Sequence, residues 1–241
     1  MRYAVLSDIH GNLEALDAVI RSCKDDGVRG YFCAGDIVGY GADPSKCIER
    51  LIALKALCIA GNHDWAVIEK INLRRFNSVA SAAIKWTKEV LGPVELSWLD
   101  GLELVAYYDN FTLVHGSLNE PQLFNYVTDT EQCADTFYVM KTPLCFLGHT
   151  HVPQVIGQKG KEPRYFKENH VELGEGVKYI VNVGSVGQPR DGDPRAAYGL
   201  YDPDLKRIQI KRVNYDIHQA QSKIIRAGLP PELAQRLSVG R

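Results

Sequence analysis

The chain has 241 residues, 45% of them hydrophobic, enough apolar surface for a full globular core and too much for default disorder. Its formal net charge of -1 excludes a global attraction to nucleic acid or to an anionic membrane. No apolar run approaches the roughly 20 residues of a membrane helix, and the N-terminus lacks a signal-peptide pattern.

The first third alternates strand and helix signals. Tyr3 to Leu6 reads as a buried strand ending at Ser7-Asp8. Leu13, Leu16, Val19, Ile20 and Cys23 follow at helical spacing, with Asn12 as N-cap and Gly27 as stop. Tyr31 to Ala34 is a second strand, ending at Gly35-Asp36. Asp43-Pro44 opens a second helix, with Asp43 as cap and Pro44 in the first turn. Ala56 to Ala60 is a third strand, ending at Gly61-Asn62-His63-Asp64. This rhythm predicts parallel strands joined by crossover helices.

The middle is helical over 78–91, and Leu96, Leu99 and Leu102 suggest a further short helix. The second half is strand-rich: 102–107, 111–114, 144–147, 152–157, 178–183, 198–201 and 208–213. Turns are expected at 107–110 and 202–204, and the tail from Asp216 returns to helix. The pattern predicts an α/β fold in which two mixed sheets pack face to face with helices outside, a four-layer α-β-β-α sandwich over 1–241. Cys23, Cys33, Cys47, Cys58, Cys133 and Cys145 form no CxxC pair. Reduced thiols filling core space, in a cytoplasmic protein, are expected.

The chemistry gathers where apolar runs stop. They end in Asp8-Ile9-His10, in Gly35-Asp36-Ile37-Val38-Gly39, in Gly61-Asn62-His63-Asp64, in His115-Gly116 and in Gly148-His149-Thr150-His151. In open α/β sheets, ligands bind outside the carboxyl ends of strands. Only His170 and His218, of seven histidines, lie elsewhere. One histidine after a strand is ordinarily a solvated or capping residue, but five strand ends carrying donors together point to a site. Carboxylate and imidazole donors without thiolate suit Mn, Fe, Ni, Zn or Co. Seven donors exceed what one ion needs and match two ions sharing a carboxylate. Strand alternation would turn residues 8 and 10 to the same side, and likewise 149 and 151.

These motifs, in this order over residues 8–151, resemble the calcineurin-like metallophosphoesterase superfamily. The stretch 182–190 is similar to its small bacterial and archaeal phosphodiesterase branch. The resemblance implies a first metal held by Asp8, His10, Asp36 and His151. It implies a second held by Asp36, Asn62, His115 and His149, with Asp36 as bridge. His63 would stand beside the metals as a catalytic group, oriented by a hydrogen bond to Asp64. Asn62 and His63 would contact substrate. Two divalent ions, manganese first, would lie about 3.5–4 Å apart and share a hydroxide that attacks phosphorus. His63 would protonate the leaving group.

Protein Ser/Thr phosphatases of the superfamily carry Asp-Arg-Gly after the second motif, where this chain has Gly39-Tyr40-Gly41. They carry Arg before Gly-Asn-His, where this chain has Ala60. Without those two arginines a phosphate diester is the expected substrate, with nucleotide derivatives one such class. The alternatives are a phosphomonoesterase, a protein or dinucleoside polyphosphate phosphatase, and a metal-free binding protein.

Four further features are open at this level. Arg190 or Arg195, in the loop 185–195, could reach phosphate or simply be solvated. Tyr40 could stack on a base or be a rim residue. Arg74-Arg75 could cap the pocket. Lys159, Lys161, Arg164 and Lys167 form a basic segment diluted by Glu162 and Glu168, which disfavours nucleic acid as a partner. The C-terminal helices or an exposed sheet edge could support a dimer.

Overall fold

The computed structural model describes residues 1–160 and 162–241. Its first strand, β1 (Arg2–Leu6), is buried on both faces. Ala4 and Leu6 join a core cluster with helix residues Leu13, Leu16 and Val19. Tyr3 and Val5 point the opposite way, into a cluster shared with Phe111, Phe146 and Val181. A strand sandwiched between a helix layer and a second sheet reads as an unbroken apolar run, which is why residues 3–6 show no polar alternation.

The remaining elements, in chain order, are α1 (Leu13–Asp25), β2 (Val28–Cys33), α2 (Pro44–Ala53), β3 (Leu57–Cys58), α3 (Asn62–Val67), α4 (Ser78–Val90) and α5 (Pro93–Asp100). Then come β4 (Val105–Tyr108), β5 (Phe111–Val114), α6 (Thr130–Val139), β6 (Leu144–Leu147), β7 (Gln154–Lys159), β8 (Glu162–Phe166), β9 (His170–Glu172), β10 (Lys178–Asn182), β11 (Ala196–Asp202), β12 (Arg207–Val213), α7 (Ile217–Arg226) and α8 (Pro231–Gln235).

Two six-stranded sheets result, in the orders β3-β2-β1-β11-β12-β9 and β4-β5-β6-β10-β7-β8. β1, β2 and β3 run parallel, as do β5, β6 and β10, and both sheets finish with antiparallel strands. Residues of both sheets, among them Val5, Phe32, Phe111, Phe146, Tyr201 and Ile208, form the core between them. Helices α1 and α2 cover the outer face of the first sheet. Cys133 and Phe137 of α6 cover the second, against Cys145, Leu147 and Ile180. This is the expected four-layer α/β sandwich.

Asn12 caps α1, its side chain accepting from Ala15 N at 3.1 Å. Asp43 does not cap α2. Its carboxylate pairs instead with Lys46 at 3.2 Å and with Lys223 of α7 at 2.6 Å, so it fastens the C-terminal helix to the first layer. The third strand is two residues long. β7 begins at Gln154, because Pro153 has no N–H for a ladder. β4 starts at Val105, after the α5 turn. The polar strands β8 and β9, each at a sheet edge, gave no apolar signal. All six cysteines are free, and all but Cys58 are buried. No helix among the described residues is long and apolar enough to cross a membrane.

Candidate metal centre

The parallel strands end on one rim, and the chain there is backbone-strained. Asp8, His10, Asp36, His149 and His151 all have left-handed φ, between 48° and 68°. Such conformations cost of order 1–3 kcal/mol each for ordinary residues and persist only where surroundings impose them. The loops after β1 and β2 lock together through His10 N to Asp36 O at 2.9 Å and Gly11 N to Ile37 O at 2.9 Å. The two sheets are tied by His149 N, which donates to Asp8 Oδ2 at 3.0 Å. Gly148 must be glycine here, since a Cβ would collide with the Ser7 hydroxyl and the Asp8 carboxylate. The expected placement of residues 8 and 10 on one side is therefore reached by left-handed turns, not by strand alternation.

Two groups of buried donors have the spacing to hold an ion. One is Asp8, His10, Asp36 and His151; the other is Asp36, His115 and His149, with the donor atoms of each group within 4.8 Å of one another. Asp36 belongs to both. Asn62 Oδ1 lies 3.1 Å from His115 Nε2, which places it beside the second group.

The imidazoles are oriented from behind. His10 Nδ1 lies 3.1 Å from Val38 O, His151 Nδ1 2.6 Å from Gln188 O, and His115 Nδ1 2.7 Å from Ala34 O. A carbonyl only accepts, so the proton sits on Nδ1 in each, and Nε2 is turned inward. Burial holds His10 and His151 well below the ordinary histidine range, so both are neutral. Their Nε2 lone pairs nevertheless face each other at 3.2 Å, and His151 Nε2 lies 3.2 Å from Asp8 Oδ1. Asp8 Oδ1 is buried with no hydrogen-bond donor. Converging lone pairs and an unsatisfied carboxylate oxygen repel unless a cation lies among them, so the donor set fits a divalent metal.

Burial also acts on the carboxylates. It pushes Asp8 up to about 7, with Asp36 adding to the rise. Burial would raise Asp36 too, but His115, His63 and His10 hold it well below the ordinary range. Burial opposes the His115 imidazolium, yet Asp36 and Asp8 carry it up to about 9.

His63 lies beside these groups. Burial lowers it to about 4, and its Nδ1 has no partner. Its ring touches His10 (centroids 4.8 Å), Tyr40 (4.5 Å) and Phe76 (5.1 Å). Asp64 does not orient it. One Asp64 oxygen accepts from Ile37 N (2.9 Å) and Val38 N (3.1 Å), the other from Gly61 N (2.9 Å). As the third residue of α3, Asp64 reaches back to the helix N-terminus and is spent on backbone. Burial and then Asp36 push it up to about 7, against three donors that favour its ionised form.

A cleft of about 270 Å³ opens over His63, Asn62 and His149. Of the features left open by the sequence, Arg190 lines it, and so do Tyr40 and Arg75. Arg195 does not reach it and pairs with Asp193 at 2.6 Å. Arg74 is solvent-exposed, while Arg75 donates to Leu123 O at 3.2 Å. The basic segment lies on the β7–β8 hairpin, where Arg164 packs on Phe166; Lys161 falls outside the described residues. Sequence reasoning missed Tyr126, stacked on His149 with centroids 4.1 Å apart, and Arg236, which enters the cleft from beyond α8.

A family model of the calcineurin-like phosphoesterase superfamily domain matches residues 1–205. The chain belongs to that superfamily. It is therefore a phosphoesterase-family protein of a kind that uses divalent metals, and it carries a buried Asp/His cluster suited to them. An uncharacterized protein of Methanocaldococcus jannaschii is 40% identical to this chain, with 99% of this chain and 98% of that protein covered. The phosphodiesterase YfcE of Escherichia coli is 25% identical, with coverage of 86% and 91%. Among solved structures, a metallophosphoesterase from Sphaerobacter thermophilus superposes with a TM-score of 0.86 at 39% identity, covering 100% of this chain and 99% of that one.

Proposed function

We propose that this protein is a binuclear metal-dependent phosphodiesterase acting on small phosphate diesters, and that residues 1–241 work as one catalytic unit. The observation that carries the metal reading is the set of neutral Nε2 atoms of His10 and His151 facing each other beside an undonated Asp8 oxygen. Asp8, His10, Asp36 and His151 would hold one ion, and Asp36, Asn62, His115 and His149 the other. Manganese is the first candidate, though the same donors accept Fe, Ni, Zn or Co. When bound, two such ions supply Lewis acidity toward the phosphoryl oxygens and a water acidic enough to act as nucleophile near neutral pH.

The chain's own groups do the rest. Asn62 presents its amide where the phosphoryl oxygens would lie. His63 lines the cleft, its Nδ1 buried without a partner, and is our assignment for the proton donor to the leaving oxygen. Burial keeps it neutral alone, and an arriving phosphate anion favours its imidazolium. Tyr40 and Phe76 fix its ring. Asp64 acts at one remove by pinning the loops that carry Gly39 and His63.

The diester reading has two supports. One is the resemblance to a phosphodiesterase. The other is the cleft wall of Phe76, Leu123, Phe124 and Tyr126, an apolar and aromatic surface for the second ester substituent. The half-exposed Tyr126 ring would suit a nucleobase.

The deciding experiment is hydrolysis of bis(p-nitrophenyl) phosphate by chelator-treated protein, with and without added Mn, beside Asn62→Ala. Mn-dependent turnover that the variant loses supports the reading. Tight binding of two metals without turnover of this diester redirects it to a monoester. Absence of both metal binding and turnover removes it.

A further inference from the structure

We propose that Arg190 and Arg236 form a subsite for a second phosphate group, so that the substrate carries a phosphate besides the scissile one; this rests on the phosphodiesterase reading above. Arg190 lies in the loop after β10, and its backbone N–H donates to His151 O at 3.2 Å, tying it to the metal centre. Arg236 lies in the turn after α8, beyond the residues matched to the family. The C-terminal helices, packed on Tyr40, Ala80 and Ala83, bring it to the same cleft.

Both guanidinium groups donate to a single neutral acceptor, Gln188 Oε1, at 2.8 Å and 3.3 Å. Among the described residues neither arginine has a carboxylate partner. The acids nearest Arg190 in sequence are already engaged, Asp191 by Arg212 and Asp193 by Arg195 and Arg212. Arg190 Nε is buried without any acceptor. Two like charges, each partly withdrawn from water and sharing one amide oxygen, are unfavourable as they stand. Burial and Arg190 accordingly lower the basicity of Arg236. A phosphate supplies what is missing, with two charges and several oxygens for two planar forks.

The position favours a second phosphate over the scissile one. Tyr40 lies between the two regions, 4.5 Å from the rings of both His10 and His63 on one side and 5.8 Å from the Arg190 guanidinium on the other. Arg236 interacts with Gln188, Arg190 and Tyr40, outside the ring of histidines.

Two measurements test this. In the first, AMP and adenosine 3′,5′-bisphosphate compete against Mn-dependent hydrolysis of bis(p-nitrophenyl) phosphate. The wild type should prefer the bisphosphate by about tenfold, and Arg236→Gln should abolish that preference. Equal weakening of both nucleotides, or no preference in the wild type, overturns the subsite. The second is calorimetric titration of chelator-treated protein with pyrophosphate, which needs no turnover. Binding should weaken about tenfold in Arg190→Gln and in Arg236→Gln, and unchanged or absent wild-type binding overturns the proposal. A wild type that hydrolyses no ester removes the phosphodiesterase reading alone, and the calorimetry then decides the subsite.

Discussion

His10 and His151 come from the loops after strands of different sheets, yet their Nε2 atoms meet at 3.2 Å with both protons committed to backbone carbonyls behind them. Folding thus brings together two lone pairs that repel, and a cation between them turns that repulsion into stabilisation. Metal removal should therefore cost stability. At a free Mn concentration about 100 times the dissociation constant, binding adds about 2.7 kcal/mol. For a chain of this size that is a rise in Tm of roughly 5–10 °C. Differential scanning fluorimetry with chelator and with Mn measures it, and superimposed melts would contradict the metal reading.

Asp36 is the one carboxylate common to both donor groups. Removing it should act on both ions, whereas a residue of one group should act on one. Metal analysis after gel filtration should find two Mn per chain in the wild type, about one in His151→Ala or His149→Ala, and close to none in Asp36→Ala. One ion in the wild type would sink the binuclear assignment.

Gly39 packs against His63. Its φ is 133°, and a Cβ there would stand 2.6 Å from His63 Nδ1 and 3.1 Å from His10 Nδ1. Gly39→Ala should tilt the His63 ring and add backbone strain of about 1–3 kcal/mol. We expect kcat on a diester with an alkyl or nucleoside leaving group to fall about tenfold or more, with the metal count retained. A normal kcat would show that the His63 position has slack.

Much of this arrangement was legible because the donors sit where apolar runs stop, and a run that stops at a strand end delivers its next residues to the sheet rim. The four layers followed from the same runs. What stayed hidden depended on contacts between distant segments. Asp64 looked like a partner for its neighbour His63, but three backbone N–H groups from two loops claim it. Asp43 has the sequence of a cap and serves Lys223, 180 residues away. Arg236 has no local pattern that marks it, since only the packing of α7 and α8 carries it to the cleft. Strands β8 and β9 lie at sheet edges and are polar, so periodicity had nothing to register.

Asp64→Asn tests the positioning role just described. Asparagine keeps the oxygen facing Ile37 and Val38 but turns an amide N–H₂ toward the Gly61 N–H, leaving donor against donor in a buried place. The cost should be about 1–3 kcal/mol of stability, seen in denaturant melts, with a smaller fall in kcat than His63→Ala causes. If the two variants lose kcat equally and stability is untouched, Asp64 acts in the chemistry and not in the scaffold.

His63 itself is tested by the leaving group. A proton donor matters most when the departing oxygen is strongly basic and least when it leaves readily as an anion. His63→Ala should therefore cost about 10²–10⁴-fold on a diester with an alkyl or nucleoside leaving group, and far less on bis(p-nitrophenyl) phosphate, whose nitrophenolate departs without help. A uniform loss on both would mean that His63 holds the phosphate or shapes the metal site. That result would leave the protonation of the leaving oxygen to a solvent molecule in the cleft.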